Sequence, residues 1–266
     1  MRAAPLMRRM SLVRRMSTLS ADPEHLTLGF IGLGLMGTEM ARVLSRDGHH
    51  HVVLWNRTED RAFELMGEGL PVSVASTPRE VVEKADVTFS MLPTPAASAA
   101  VFDGDDGVLA GVCEGKTIVD CATLREEDMI SMAEHVEHAG GAFLEAPVAG
   151  STGPAKAGEL VFLAGGLLED YERALPHFEL MGKSAKLCGD VGAGTRTKLI
   201  LNSGMATMLA ALAEMLALAE GADVDSAQLL EVISESAIAM PMAALKGPKV
   251  MMMLVLPGCS RCFRSC

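Results

Sequence analysis

LGFIGLGLMGTEMARVL, residues Leu28 to Leu44, is the stretch from which the rest of the chain is read. A short apolar strand, Leu28–Ile31, runs into Gly32, Leu33, Gly34, Leu35, Met36 and Gly37. A helical pattern follows at once, with Met40, Val43 and Leu44 on one face. G-x-G-x-x-G between a strand and a helix is the dinucleotide-binding fingerprint. Its first glycine permits the tight turn, the second lets the backbone approach a pyrophosphate, and the third lets helix pack on strand. The start of the helix then offers free N–H groups and a positive dipole end to the phosphates.

The following sequence extends that unit into an alternation. Strands are predicted at His51–Trp55, Val72–Val74, Asp86–Met91, Thr117–Asp120 and Ala142–Glu145, with helical patterns between them. Thr77-Pro78 with Glu80 three residues after the threonine is a helix start. Strands and helices alternating at this spacing give an α/β fold, a doubly wound Rossmann-type parallel sheet. Strand Val161–Ala164, helix Leu168–Leu180 and a possible edge strand at Lys186–Leu187 complete this domain, placed at residues 26–190. Glu145–Leu160 is rich in glycine, proline and small residues and reads as a loop whose backbone comes close to a ligand.

Strand two carries information about the cofactor. It ends in Asn56, Arg57 and Thr58, with no acidic residue at its tip to hold a ribose 2′-hydroxyl. An arginine there suits a 2′-phosphate, through its fork of donors. The pattern therefore favours NADP(H) over NAD(H). Three histidines, His49, His50 and His51, invite a metal reading, but they are adjacent and fall in a predicted turn, so a solvated turn is expected.

Residues 191–250 read as helical. Gly192–Ala222 is long and apolar, yet Asn202, Ser203, Gly204 and Glu214 interrupt it. It is expected to be a buried interdomain helix rather than a membrane span. Lys198 and Asn202 lie one turn apart on it and share a face. A lysine amid so much apolar sequence should be desolvated, which lowers its pKa toward the range of a general acid. Ser226–Ser236 follows as an amphipathic helix with Leu229, Leu230 and Ile233 inward.

Composition bounds the partners. The net charge of −11 argues against nucleic acid. Cys113, Cys121 and Cys188 show no pairing pattern and read as buried thiols in a reducing compartment. Arg2, Arg8, Arg9, Arg14 and Arg15 precede the first acidic residue, Asp22. That composition is expected of an organellar transit peptide, assigned to residues 1–25, with a mitochondrial destination ahead of plastid or cytoplasm. Residues 251–266, with Cys259, Cys262 and Cys266, lack a period and are expected to be an unstructured or non-native tail.

Taken together, GFIGLGLMG (29–37), WNRT (55–58), DCATL (120–124), EAPVAGSTGPAKAGEL (145–160), GAGTRTKLILN (192–202) and PMAALKGP (241–248) resemble the β-hydroxyacid dehydrogenase family, which includes the 3-hydroxyisobutyrate dehydrogenases. The resemblance implies a catalytic lysine at Lys198, a substrate-orienting asparagine at Asn202, and substrate binding at Gly150, Ser151 and Thr123. It places Leu92, Pro93 and Thr123 against the nicotinamide half of the cofactor. It also implies NADPH-dependent reduction of a small aldehyde acid such as glyoxylate or succinic semialdehyde, as in the family's plant-type branch. The alternatives are NAD-dependent oxidation of 3-hydroxyisobutyrate, or an inactive NADP-binding isoform. Ala122 and Ala149 stand where many relatives have serine. Relatives continue for roughly fifty residues past PMAALKGP, about the size expected of a helical substrate domain. The resemblance therefore implies an incomplete all-α second domain here, in a family whose full-length members are homo-oligomers.

Overall fold

A computed structural model describes residues 26–46 and 48–255, with the side chains of 253–255 excepted. The stretch expected to be a transit peptide, the end of the tail and its three cysteines lie outside the described residues. The chain divides into two units, with the boundary between Lys198 and Leu199.

The first unit is built on a six-stranded parallel sheet. Its strands are β1 (Leu28–Ile31), β2 (Val52–Trp55), β3 (Val72–Val74), β4 (Val87–Ser90), β5 (Thr117–Asp120) and β6 (Ala142–Glu145), in the order β3-β2-β1-β4-β5-β6. All five pairings are parallel. The helices between them are α1 (Leu35–Ser45), α2 (Asp60–Gly67), α3 (Pro78–Lys84), α4 (Pro95–Phe102), α5 (Val108–Gly111) and α6 (Glu126–His138). Successive side chains of a strand point to opposite faces, so each strand feeds two cores. Phe30, Phe89, Val119 and Leu144 enter one core, with Met40 and Leu44 of α1. Ile31, Ile118 and Phe143 enter the other, with Val81 and Val82 of α3 and Met129 of α6. The order reverses between β1 and β4, which opens a crevice at the carboxyl ends of the strands.

Residues 145–160 depart from the expected loop. They form a short strand β7 (Val148–Ala149) and a helix α7 (Thr152–Ala157), which ends on Gly158 at φ +70°. β7 then pairs antiparallel with β8 (Leu160–Ala164), and β8 pairs parallel with β9 (Gly182–Leu187), across α8 (Leu168–Met181). These three strands are a second sheet, not an extension of the first. The sequence hides it because β7 has two residues and β9 reads GKSAKL, with polar side chains at intermediate or exposed positions.

Two surface expectations also fail. His50 is buried, its ring edge-on to His177 of α8 at 5.1 Å, and His177 meets Phe89 at 6.0 Å. Packing of α8 over the sheet covers what sequence alone reads as a turn. Cys113 is exposed and Cys188 half-buried; of these three thiols only Cys121 is buried.

The second unit begins within α9 (Ala193–Gly221) and continues as α10 (Ser226–Glu235) and α11 (Pro241–Val255). Leu212 and Leu216 of α9, Ile233 of α10 and Ala243 of α11 form a small core, with Leu229 and Leu230 packed against it. α9 is not the buried helix that its composition suggests. Ile200 is 73% and Leu218 72% exposed, and Leu199, Leu201, Met205 and Met208 are exposed as well. Among the described residues it is one helix long and apolar enough to cross a membrane by length and composition. The core of this unit uses only the last turns of α9, so the apolar residues before them stay uncovered. α11 runs to Val255, five residues into the stretch read as tail.

Candidate functional site

The three glycines of the first turn have distinct surroundings. Gly32 sits at φ +93°, and a Cβ there would lie 2.6 Å from the Met91 carbonyl oxygen. A Cβ on Gly37 would lie 1.9 Å from the Gly32 carbonyl oxygen. Gly34 has no atom within 4 Å of the place its Cβ would take. Gly32 and Gly37 therefore hold turn and helix together, while Gly34 faces open space. Gly34 is also the N-cap of α1 and provides no side chain, so the first N–H groups of α1 remain free to meet an anion.

The Leu33 peptide is fixed at both ends. Its N–H donates to Asn56 Oδ1 at 2.9 Å. Its carbonyl accepts from Thr38 Oγ1 at 3.0 Å and from an Arg61 guanidinium nitrogen at 2.9 Å. Asn56 also donates from Nδ2 to the Thr58 carbonyl at 2.8 Å. Its amide thus shapes the turn that lines the cleft. Arg61 is not marked by the sequence pattern; its one signal is a second cation, four residues after Arg57.

These loops enclose a cleft of about 540 Å³ at the point where the strand order reverses. Gly32–Gly37 form one side, and Trp55, Asn56, Arg57, Thr58 and Arg61 another. Met91, Leu92 and Pro93 after β4, with Ala97, Ala100 and Val101 of α4, close it with apolar surface. Arg57 and Thr58 are exposed. A long groove with free N–H groups at one end, a cation at the β2 tip and an apolar wall fits a phosphorylated dinucleotide. Thr123, Gly150, Ser151, Lys198 and Asn202 do not line this cleft.

A buried polar row lies at the same edge of the sheet. Ser90, Asp120 and Glu145 end β4, β5 and β6 and stand in register. The Ala122 N–H donates to Asp120 Oδ1 at 2.9 Å. Burial pushes the Asp120 carboxyl up to about 6, against hydrogen bonds from Ser90 and Ala122 that favour its charge; the neighbouring Glu145 adds to the rise. Burial likewise drives the adjacent Cys121 thiol upward, so it stays protonated.

Glu145 carries the row to α9. Oε1 accepts from the N–H groups of Gly192 and Gly194 at 2.7 and 2.8 Å, and Oε2 from Thr195 Oγ1 at 2.5 Å. Burial raises its pKa, while the bonds from Thr195, Gly194 and Gly192 pull it down. Three residues on, Lys198 is only 7% exposed, and desolvation lowers its pKa from the usual lysine value. Thr123, Gly150 and Ser151 are exposed, in the segments after β5 and β7. Gly150 has φ +149°, and a Cβ there would come within 2.6 Å of Leu160 Cδ2. Asn202 is half-buried, four residues after Lys198 on α9.

Residues 27–194 match the family model of the NAD binding domain of 6-phosphogluconate dehydrogenase. Glyoxylate/succinic semialdehyde reductase 1 of Arabidopsis thaliana is 38% identical over 223 residues, covering 84% of this chain and 76% of that one. The chain belongs to the β-hydroxyacid dehydrogenase family. A second Arabidopsis thaliana relative in that family, the chloroplastic glyoxylate/succinic semialdehyde reductase 2, is 39% identical over 224 residues. The chain spans 62% of that relative's length, and the match covers 84% of the chain. Among solved structures, the 3-hydroxyisobutyrate dehydrogenase of Mycobacterium tuberculosis, with L-serine, superposes with a TM-score of 0.72 at 30% identity. That match covers 81% of this chain and 72% of the other. As a member of that family, the chain carries an NAD(P)-binding domain over residues 27–194.

Proposed function

We propose that this β-hydroxyacid dehydrogenase reduces a small aldehyde acid, of the glyoxylate or succinic semialdehyde kind, with NADPH as the hydride source. The observation that carries the reading is Lys198: a buried amine of lowered pKa, three residues after the helix turn that Glu145 ties to the end of β6. The free N–H groups of α1 and the open space at Gly34 suit a pyrophosphate, and Arg57 suits a 2′-phosphate.

A bound NADPH would supply the hydride to the aldehyde carbon. The chain's own part is then to place the substrate and move one proton. The ammonium of Lys198 gives that proton to the carbonyl oxygen as it becomes an alcohol, and solvent restores it. General acid help of this kind is worth about 10²–10⁴ in rate. Asn202 orients the substrate, and Gly150, Ser151 and Thr123 serve its carboxylate end.

Steady-state assays with glyoxylate and succinic semialdehyde, each with NADPH and NADH, test the proposal. Faster turnover with NADPH supports it. Preference for NADH with 3-hydroxyisobutyrate would move the assignment to the oxidising branch, and cofactor binding without any turnover would leave a nucleotide-binding protein. The basic stretch before Asp22 supports import into an organelle. Fractionation of the tagged chain distinguishes mitochondrion, plastid and cytoplasm.

A further inference from the structure

α9 begins where the chain leaves the second sheet, and its first turn is held from three directions. The Glu145 carboxylate takes the Gly192 and Gly194 N–H groups and the Thr195 hydroxyl. Gly194 lies so close to β8 that a Cβ would fall 2.1 Å from the Leu163 carbonyl oxygen. Arg196 pairs with Glu126 of α6. Of these, only Glu145 reaches the turn with a buried carboxyl group, and burying a carboxylate is costly unless it is well hydrogen-bonded. A helix start needs acceptors for its free N–H groups, which water or a neutral cap could supply. A buried carboxylate that spans 47 to 50 residues of sequence to do so ties the turn to one fixed point, the end of β6. Thr195 and Lys198 are i and i+3, on one face of the helix. Among the described residues, charged groups near this turn include Asp120 on β5, Asp190 beside Gly165, and the Glu126–Arg196 pair beside Gly192.

We infer that Glu145 is a positioning residue: by clamping the first turn of α9 to the end of β6, it holds the Lys198 amine in its buried place. This rests on the reading of Lys198 as the proton donor, but the clamp can be measured without turnover. Its geometry also separates the substitutions. Glu145→Gln keeps an acceptor for the two N–H groups and can donate to the Thr195 hydroxyl. Glu145→Leu fills the space and leaves all three donors unmet. Thr195→Val removes one bond only.

The test is competitive acetylation of the full chain across pH, with the Lys198 peptide quantified by mass spectrometry, alongside kcat and the KM for NADPH. In Glu145→Leu the apparent pKa of Lys198 should rise toward that of a free lysine, and kcat should fall about tenfold or more, with KM for NADPH within about twofold, because the amine and not the cofactor cleft has moved. Glu145→Gln should restore most of both, and Thr195→Val should show the same direction at smaller size. Thr77→Ala removes the N-cap of α3, whose hydroxyl accepts from the Glu80 N–H, and serves as a control for general loss of stability. Should Glu145→Leu leave the Lys198 titration as it is in the parent, the inference is overturned, whatever its melting temperature. If Glu145→Leu does not fold, an unchanged Lys198 titration in Thr195→Val overturns it instead. If the parent chain shows no turnover, the titration still decides the clamp, and only the reductase reading is lost.

Discussion

The Ser90 hydroxyl donates to Asp120 Oδ2 at 2.6 Å between the ends of β4 and β5, where both side chains are buried. The carboxyl's value of about 6 lies above its ordinary 3.8, so the folded chain holds this proton more tightly than the unfolded chain does. Its contribution is fully present below pH 4 and is lost as pH rises through about 6. Asp120→Asn cannot titrate but keeps an acceptor for Ala122 and a partner for Ser90. It should match the parent near pH 4 and exceed it at pH 7–8 by on the order of 3 kcal/mol. Thermal melts across pH 4–8 check this; a stability gap that does not change with pH would contradict it.

Gly34 and Gly37 should separate binding from folding. Alanine at 34 meets nothing in the chain itself, so Gly34→Ala should fold with an unchanged melting temperature. Its methyl group stands where a pyrophosphate must approach, so the affinity for NADPH should drop about tenfold or more. Gly37→Ala drives a methyl group into the Gly32 carbonyl and should lower the melting temperature itself. Cofactor titration and calorimetry on both variants would expose the prediction as wrong if the two behave alike.

Arg57 and Arg61 both line the cleft and should fail differently. Arg57 is the exposed cation at the β2 tip, and losing its charged hydrogen bonds should weaken NADPH about 10–100-fold while leaving NADH nearly unchanged. Arg61 supports the Leu33 carbonyl, which belongs to the glycine turn common to both cofactors. Arg61→Ala should therefore weaken NADPH and NADH together. Equal losses for both cofactors in Arg57→Ala would remove the case for NADP selectivity.

Lys198→Met is expected to reduce kcat by about 10²–10⁴ with cofactor affinity unaltered. It should not reduce stability at neutral pH. The lowered pKa means that the folded chain binds this proton less tightly than the unfolded one, so parent stability rises with pH through the window below the ordinary lysine value of 10.5. Methionine removes the cost of a buried ammonium, so the variant should melt higher at pH 7 and the difference should shrink toward pH 10. A variant that keeps its turnover refutes the general-acid role.

What was legible in the sequence is what neighbouring residues enforce. The strand–glycine–helix unit at Leu28–Leu44, the alternation of strands and helices, and the Thr77 helix start each arise within a few residues, through periodicity or capping. They were enough to give the α/β class and to put Gly32–Gly37 and Arg57 on the wall of one cleft. Less local features could not be read this way. His50 looks like a turn residue until α8 brings His177 over it. The polar pattern of β9 hides its pairing with β8.

The sequence by itself determined the doubly wound sheet and the glycine turn at its first crossover, because helix and strand periods and turn chemistry are local properties of a chain. Only the tertiary structure decided that Arg61 buttresses Leu33 and that Glu145 ends up on the first turn of α9. The apolar residues at the start of α9 are exposed for the same kind of reason. Burial and hydrogen-bond partnership across tens of residues depend on which surfaces meet once the chain has folded, and no period in the sequence encodes that meeting.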